Sequence, residues 1–260
     1  MRVTILGCGA SGGVPLIGCD CAVCASDNPK NKRTRVSILI EVNGLRILVD
    51  TPPDIRMQAL RHNIQSVDAI IYTHAHADHV HGIDDVRSFN FHKNAAIPVF
   101  ADAHTLAELQ ERFAYAFMPP KPEYGWFRPA LIPHEIEVSA NQPFTIMDKV
   151  RVVPFVQIHG SSQTTGIKID DFAYSTDVNN LSDKSLQIIE NVKLWIVDCL
   201  RYDPAPTHAD LSKTLEWIAR VRPQQAVLTH MSHAFDYDGL LAELPEHAEP
   251  AYDGLTLELP

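Results

Sequence analysis

Apolar runs of strand length recur along this chain, and most of them end in histidine or aspartate. Residues 2–6 form one such run and lead into the glycine-rich loop Gly7-Cys8-Gly9-Ala10-Ser11-Gly12-Gly13. Residues 36–42 and 45–49 flank Asn43-Gly44, a pair that suits the type I′ turn of a β-hairpin, and Asp50 closes the second strand. Residues 53–62 open on proline and read as a helix. The run Ala69-Ile70-Ile71-Tyr72, uncharged and rich in β-branched and aromatic residues, then reads as a buried strand. At its carboxyl end, where open α/β sheets place their chemistry, stands Thr73-His74-Ala75-His76-Ala77-Asp78-His79. Helices are expected over 82–89 and, capped by Asp102, over 103–113, on either side of a strand at 98–100.

The pattern turns strand-rich from residue 131, with runs at 131–136, 144–146 and 150–157, the last followed by His159-Gly160-Ser161-Ser162. Residues 165–169 and 172–175, joined at Asp170-Asp171, make a second hairpin that delivers Asp177. A buried strand at 194–197 ends in Asp198, an amphipathic helix spans 209–221, and a strand at 225–228 ends in Thr229-His230-Met231-Ser232-His233. Two βαβ-like halves, each presenting His or Asp at its strand ends, predict one α/β domain over 1–260, a four-layer αβ/βα sandwich. The segment 113–130 interrupts this pattern as an aromatic insertion: Tyr115, Phe117, Tyr124, Trp126 and Phe127 lie among Pro119, Pro120, Pro122 and Pro129. Such a loop serves as a lid that stacks on a ring, or as a pin that holds the loop to the body; the sequence leaves both open.

Imidazoles and a carboxylate within six residues suit a borderline cation such as Zn2+, and admit Mn2+ or Fe2+. Two histidines spaced by two can grip one ion, and the following Asp-His pair points at a second. Cys19, Cys21 and Cys24 fall in another six-residue stretch, a zinc-knuckle spacing over 18–25 that needs a fourth ligand from elsewhere. No Gly-Lys-Ser/Thr ending follows the glycine loop, so a tight backbone path beside the metal site is a better reading there than a phosphate cradle.

Charge narrows the substrate. Lys+Arg 22 against Asp+Glu 32 leaves a net charge of −10, which offers no general attraction to a polyanion. The one basic cluster, Lys30-Asn31-Lys32-Arg33-Thr34-Arg35, reads as a solvated surface loop. Five cysteines, no apolar stretch near membrane-spanning length and no signal-peptide pattern point to a cytoplasmic protein without disulfides or membrane contact.

The His74-x-His76-x-Asp78-His79 motif resembles the signature of the metallo-β-lactamase superfamily of hydrolases, whose fold is the same four-layer sandwich. That resemblance implies two divalent ions, Zn2+ or Mn2+, one on His74, His76 and His159 and the other on Asp78, His79 and His230. Asp177 would bridge them, Asp50 would orient ligands, and a hydroxide shared by the pair would attack a phosphodiester. The cysteine run, Asp177 and Leu228-Thr229-His230-Met231-Ser232-His233 further resemble the branch that hydrolyses phosphoribosyl 1,2-cyclic phosphate. The implication there is a structural Zn2+ on Cys19, Cys21, Cys24 and His233. His208 would face the substrate phosphate and protonate the leaving oxygen, with Ser161 and Ser162 as further substrate contacts, and the aromatic insertion has no counterpart in that branch. The resulting expectation is a metal-dependent phosphodiesterase for a small phosphorylated sugar or nucleotide, its oligomeric state open between monomer and homodimer. Two rivals remain: a transfer-RNA 3′-processing nuclease, which the acidic balance disfavours, and a non-catalytic accessory protein similar to the superfamily member of pyrroloquinoline quinone biosynthesis.

Overall fold

Strict alternation of side chains in the central strands tells the chain to bury both faces of each sheet. Ile38, Ile40, Ile47, Val49, Ala69 and Ile71 point into one cluster, while Leu39, Leu48, Ile70 and Tyr72 between them point into another. The computed structural model describes residues 1–119 and 125–260. Its first half runs β1 (Arg2–Gly7), α1 (Ala22–Ala25), β2 (Ser37–Val42), β3 (Leu45–Val49), α2 (Ile55–Arg61), β4 (Ala69–Ile71), α3 (Ala77–Val80), α4 (Val86–Lys93), β5 (Ile97–Ala101), α5 (Ala103–Arg112) and β6 (Leu131–Glu135). The second runs β7 (Phe144–Ile146), β8 (Val150–His159), β9 (Ser162–Ile169), β10 (Phe172–Ser175), α6 (Asp183–Ile188), β11 (Leu194–Asp198), α7 (Leu211–Val221), β12 (Gln225–Thr229), α8 (Tyr237–Glu243), β13 (Ala248–Pro250) and β14 (Thr256–Glu258).

Two seven-stranded sheets result, in the orders β14-β1-β2-β3-β4-β5-β6 and β13-β12-β11-β10-β9-β8-β7. Each contains a parallel run, β3 to β6 in one and β10 to β13 in the other. Between the sheets Ile38, Ile40 and Ile71 share a core with Phe155, Ile167, Phe172 and Ile196. Outside them, α2, α4 and α5 cover the first sheet through Ile55, Phe89 and Leu109, and α7 covers the second through Trp217, Ile218 and Val221. The architecture is therefore the αβ/βα sandwich expected from the strand pattern.

Local signals explain most element ends. Asn43 and Gly44 both take positive φ, as the type I′ turn requires. Asp102 caps α5 by accepting from the amides of His104 and Thr105, and Asp210 caps α7 at Lys213, two residues later than the expected start at 209. The helix expected at 82–89 is a 3-10 turn over Ile83–Asp85 followed by α4.

The basic cluster departs from its reading as a solvated loop. Arg33 is 2 % exposed, and its guanidinium donates to the carbonyls of Ser232 and Phe235 and to Asn31 Oδ1. A cation this deeply buried needs such acceptors, which a distant segment supplies and local sequence does not show. In the aromatic insertion, Phe113 and Phe117 pack on the helix cluster, while Arg128 donates to the carbonyls of Tyr115, Met118 and Pro119. The described ends of the insertion are pinned to the body; Pro120, Pro122 and Tyr124 lie outside the described residues.

Candidate metal centre

The histidine motif begins where β4 ends, and α3 makes a single turn that sets Asp78 and His79 over the same edge. His159 ends β8, Asp177 follows β10, and His230 follows β12. Asp177 and His230 both adopt positive φ, so the chain turns sharply as each strand ends. Four strands thereby aim polar side chains into one buried cleft between the sheets.

Asp177 is the centre of it. Its Oδ2 lies 3.7 Å from His74 Nε2 and 3.7 Å from His159 Nε2. Its Oδ1 lies 3.0 Å from His79 Nε2 and 3.4 Å from His230 Nε2, and Asp78 Oδ2 stands 3.6 and 3.7 Å from those same two nitrogens. His76 completes the first group, so His74, His76, His159 and Asp177 form one donor set, and Asp78, His79, Asp177 and His230 form another. All seven residues named from the motif and the resemblance are brought together, and Asp177 is shared.

These spacings are those of ligand polyhedra. Two nitrogens bound to one tetrahedral Zn2+ sit about 3.4 Å apart, given metal–ligand distances near 2.1 Å. The Nε2 atoms of His74, His79 and His230 are buried without a protein hydrogen-bond partner, and even the close approach of His79 to Asp177 lacks hydrogen-bond geometry. Buried polar atoms left this way are costly unless a cation takes their lone pairs, so the donors present fit divalent metal.

Electrostatics agrees. Burial opposes charge on His79 and His230, but Asp177 leads the carboxylates that outweigh it, holding His79 well above the ordinary imidazole value and pushing His230 up to about 9. At His74 and His159 burial dominates and lowers the value. Asp177 itself, against its burial, is held well below the usual carboxylate range by His230, His79 and His74. Protons and a cation compete for these lone pairs, so metal affinity should rise with pH.

Buried acceptors fix the ligands from behind. Asp50, wholly buried, accepts from His79 Nδ1 at 2.7 Å and from the Thr73 amide and hydroxyl at 2.9 and 2.8 Å, the orienting position expected for it. His159 Nδ1 donates to the Thr207 carbonyl at 2.7 Å. The adjacent His208 places Nε2 3.8 Å from Asp177 Oδ2 and stacks on His230 with ring centroids 4.5 Å apart. Its Nδ1 is held by Asp198 at 2.9 Å. The sequence assigns Asp198 no role; like Asp50 it is a carboxylate directly after a buried strand, and that shared position is the signal that points to it. Ser162 donates to the His159 carbonyl, while Ser161 lines a neighbouring cavity.

The cysteine knuckle closes as a third donor set. His233 Nδ1 lies 3.4 Å from Cys19 Sγ and 3.5 Å from Cys21 Sγ, with Cys24 completing the group. Sulfur and nitrogen on one tetrahedral Zn2+ would be about 3.6 Å apart. The Cys24 amide, then His233, pull the Cys21 thiol down to about 6, toward the thiolate that metal requires. Gly9 threads between Arg35 and Met231, where an added Cβ would stand 2.7 Å from the Arg33 carbonyl, so the glycine loop is a close backbone path beside His230.

Residues 45–231 match the family described as "Beta-lactamase superfamily domain". Over 258 residues the chain is 37 % identical to the octanoyltransferase of Porphyromonas gingivalis, which is 98 % of this chain and 51 % of that protein. It is 36 % identical over 101 residues to coenzyme PQQ synthesis protein B of Methylobacterium nodulans, 34 % of each. The chain thus spans about half the length of the first curated relative and matches about a third of the second. Among solved structures, a new diphosphatase from the PhnP family superposes with a TM-score of 0.91 at 34 % identity, covering 100 % of this chain and 98 % of that one. Zn(2+)-bound PqqB from Methylobacterium extorquens superposes with a TM-score of 0.82 at 20 % identity, covering 100 % of both, a likeness of fold.

Proposed function

The chain belongs to the β-lactamase superfamily, and on that premise we propose that it is a metal-dependent hydrolase of phosphoric esters, a phosphodiesterase for small phosphorylated sugars or nucleotides, 1,2-cyclic phosphates included. The observation that carries this reading is Asp177, whose two oxygens each face a separate histidine group. Two divalent cations held there, Zn2+ or Mn2+, would acidify water and neutralise phosphate oxygens. His74, His76 and His159 would hold one and Asp78, His79 and His230 the other.

The chain's own groups divide the remaining work. Asp50 holds His79 by Nδ1 and so leaves Nε2 free for ligation. His208, held by Asp198 on Nδ1, keeps Nε2 directed at the cleft, where it hydrogen-bonds the phosphate and delivers a proton to the departing oxygen. Cys19, Cys21, Cys24 and His233 would hold a structural Zn2+ that ties the loop before β2 to the segment after β12. Similarity to the PhnP-family diphosphatase over nearly the whole of both chains supports phosphorus as the reacting centre. The net charge of −10 favours a small substrate over a polynucleotide. The test is hydrolysis of bis(p-nitrophenyl) phosphate by chelator-stripped protein reloaded with Zn2+ or Mn2+. Turnover that follows metal loading supports the proposal; bound metal without turnover favours an accessory role.

A further inference from the structure

Beside the metal centre opens a cavity of about 620 Å3, a size that suits a small ligand. One wall is the turn between β8 and β9, so Ser161 lies two residues, at most about 7 Å of chain, from His159. The same wall is tied to the ligand loop, because the Thr165 amide donates to the carbonyl of Thr73, next to His74. The opposite wall continues β6: Glu135 and Glu137 flank buried Ile136, whose amide donates to the Ala101 carbonyl, so both carboxylates line the cavity from one side.

From this lining we infer that Glu135 and Glu137 are specificity-determining residues that receive the vicinal hydroxyls of the substrate's sugar and turn away a second phosphate. The inference rests on the phosphoester reading of the adjoining centre. Neither glutamate has an ion-pair or side-chain hydrogen-bond partner among the described residues, whereas the carboxylate of Asp102, also in the lining, is taken up by the amides of His104 and Thr105. No lysine or arginine among the described residues lines the cavity. Ser161 and Gln163 supply donors from the facing wall, and His104 a further one from the start of α5, beside β6. A mixed set of acceptors and donors matches hydroxyls, which do both; an ammonium only donates, and a phosphate only accepts and is repelled. A polynucleotide carries phosphate on the oxygen that would meet these glutamates, so the cavity selects for a terminal, unsubstituted sugar.

Calorimetry on the metal-loaded protein tests this with adenosine 5′-monophosphate, its 2′,3′-dideoxy analogue and adenosine 3′,5′-bisphosphate. The monophosphate should bind at least about tenfold more tightly than either of the others, the scale of a charge-assisted hydrogen bond. In the Glu135→Gln/Glu137→Gln double variant the penalty against the bisphosphate should fall severalfold. Equal affinities for the three ligands, no binding of any, or a bisphosphate penalty that survives the double variant would overturn the inference. Absence of bis(p-nitrophenyl) phosphate turnover would instead remove the phosphoester reading, and the binding series would still decide what the cavity accepts.

Discussion

Asparagine in place of Asp198 separates charge from geometry at the proposed proton donor. Asp198 is wholly buried, and its Oδ2 accepts from both His208 Nδ1 at 2.9 Å and the Val178 amide at 2.8 Å. Its Oδ1 has no hydrogen-bond partner and stands 4.0 Å from His230 Nδ1. An asparagine can set its oxygen on the Oδ2 side and its NH2 toward His230, so both accepted bonds survive. What disappears is the charge assistance that roughly doubles such a bond. Hydrogen bonds to charged groups contribute about 1.5–3 kcal/mol, so the loss is about 1 kcal/mol, or roughly fivefold in kcat if His208 must be held in the transition state. Alanine removes the acceptor altogether. His208 then swings free, kcat falls by roughly 10² to 10⁴, and the buried Val178 amide costs about 1–3 kcal/mol of stability. Steady-state hydrolysis of bis(p-nitrophenyl) phosphate and thermal unfolding, run on both variants, read the two effects separately. A folded alanine variant within twofold of the parent would refute the orienting role. Equal damage from asparagine and alanine would refute the division into charge and geometry.

Asp177→Ala should abolish turnover and reduce bound metal, measured by elemental analysis, because both donor sets share that side chain; undiminished metal content would contradict its shared position. Cys21→Ser should lower the melting temperature and release metal from the knuckle while the histidine cluster still loads, since structural zinc contributes directly to folding. Arg33→Ala leaves the Ser232 and Phe235 carbonyls without their buried donor, so a loss of about 3 kcal/mol in denaturant titration is expected, with weaker metal retention at neighbouring His233. Burial opposes ionisation of Asp68, but Lys93 and the Arg46 amide hold its carboxyl below the usual range. The sign follows: its stabilisation is full above the unfolded value of about 3.9 and disappears as pH falls through the folded one, so Asp68→Asn should be less stable than the parent at pH 7 and converge with it toward pH 3. A gap that is constant with pH would show that the ionised pair adds nothing.

Much of the site was legible because each ligand obeys a local rule. His74, His159, Asp177 and His230 each follow an apolar run, and a strand that must be buried on both faces can present polar side chains only where it ends. Near-continuous apolar runs at 36–42, 45–49 and 69–72 likewise dictated strands buried on both faces, and with them the layered fold. Tertiary structure alone decided which polar groups face one another. Arg33 looks solvated until residues 232–235 close over it. Asp198 becomes an orienting group only once β11 lies beside the loop that carries His208. Glu135 and Glu137 look like ordinary surface charges until the β8–β9 turn faces them across a cavity. Local pattern sets which residues a strand must hide and where it may stop. The free energy of a buried charge depends instead on partners far along the chain, and only packing brings those within hydrogen-bond reach.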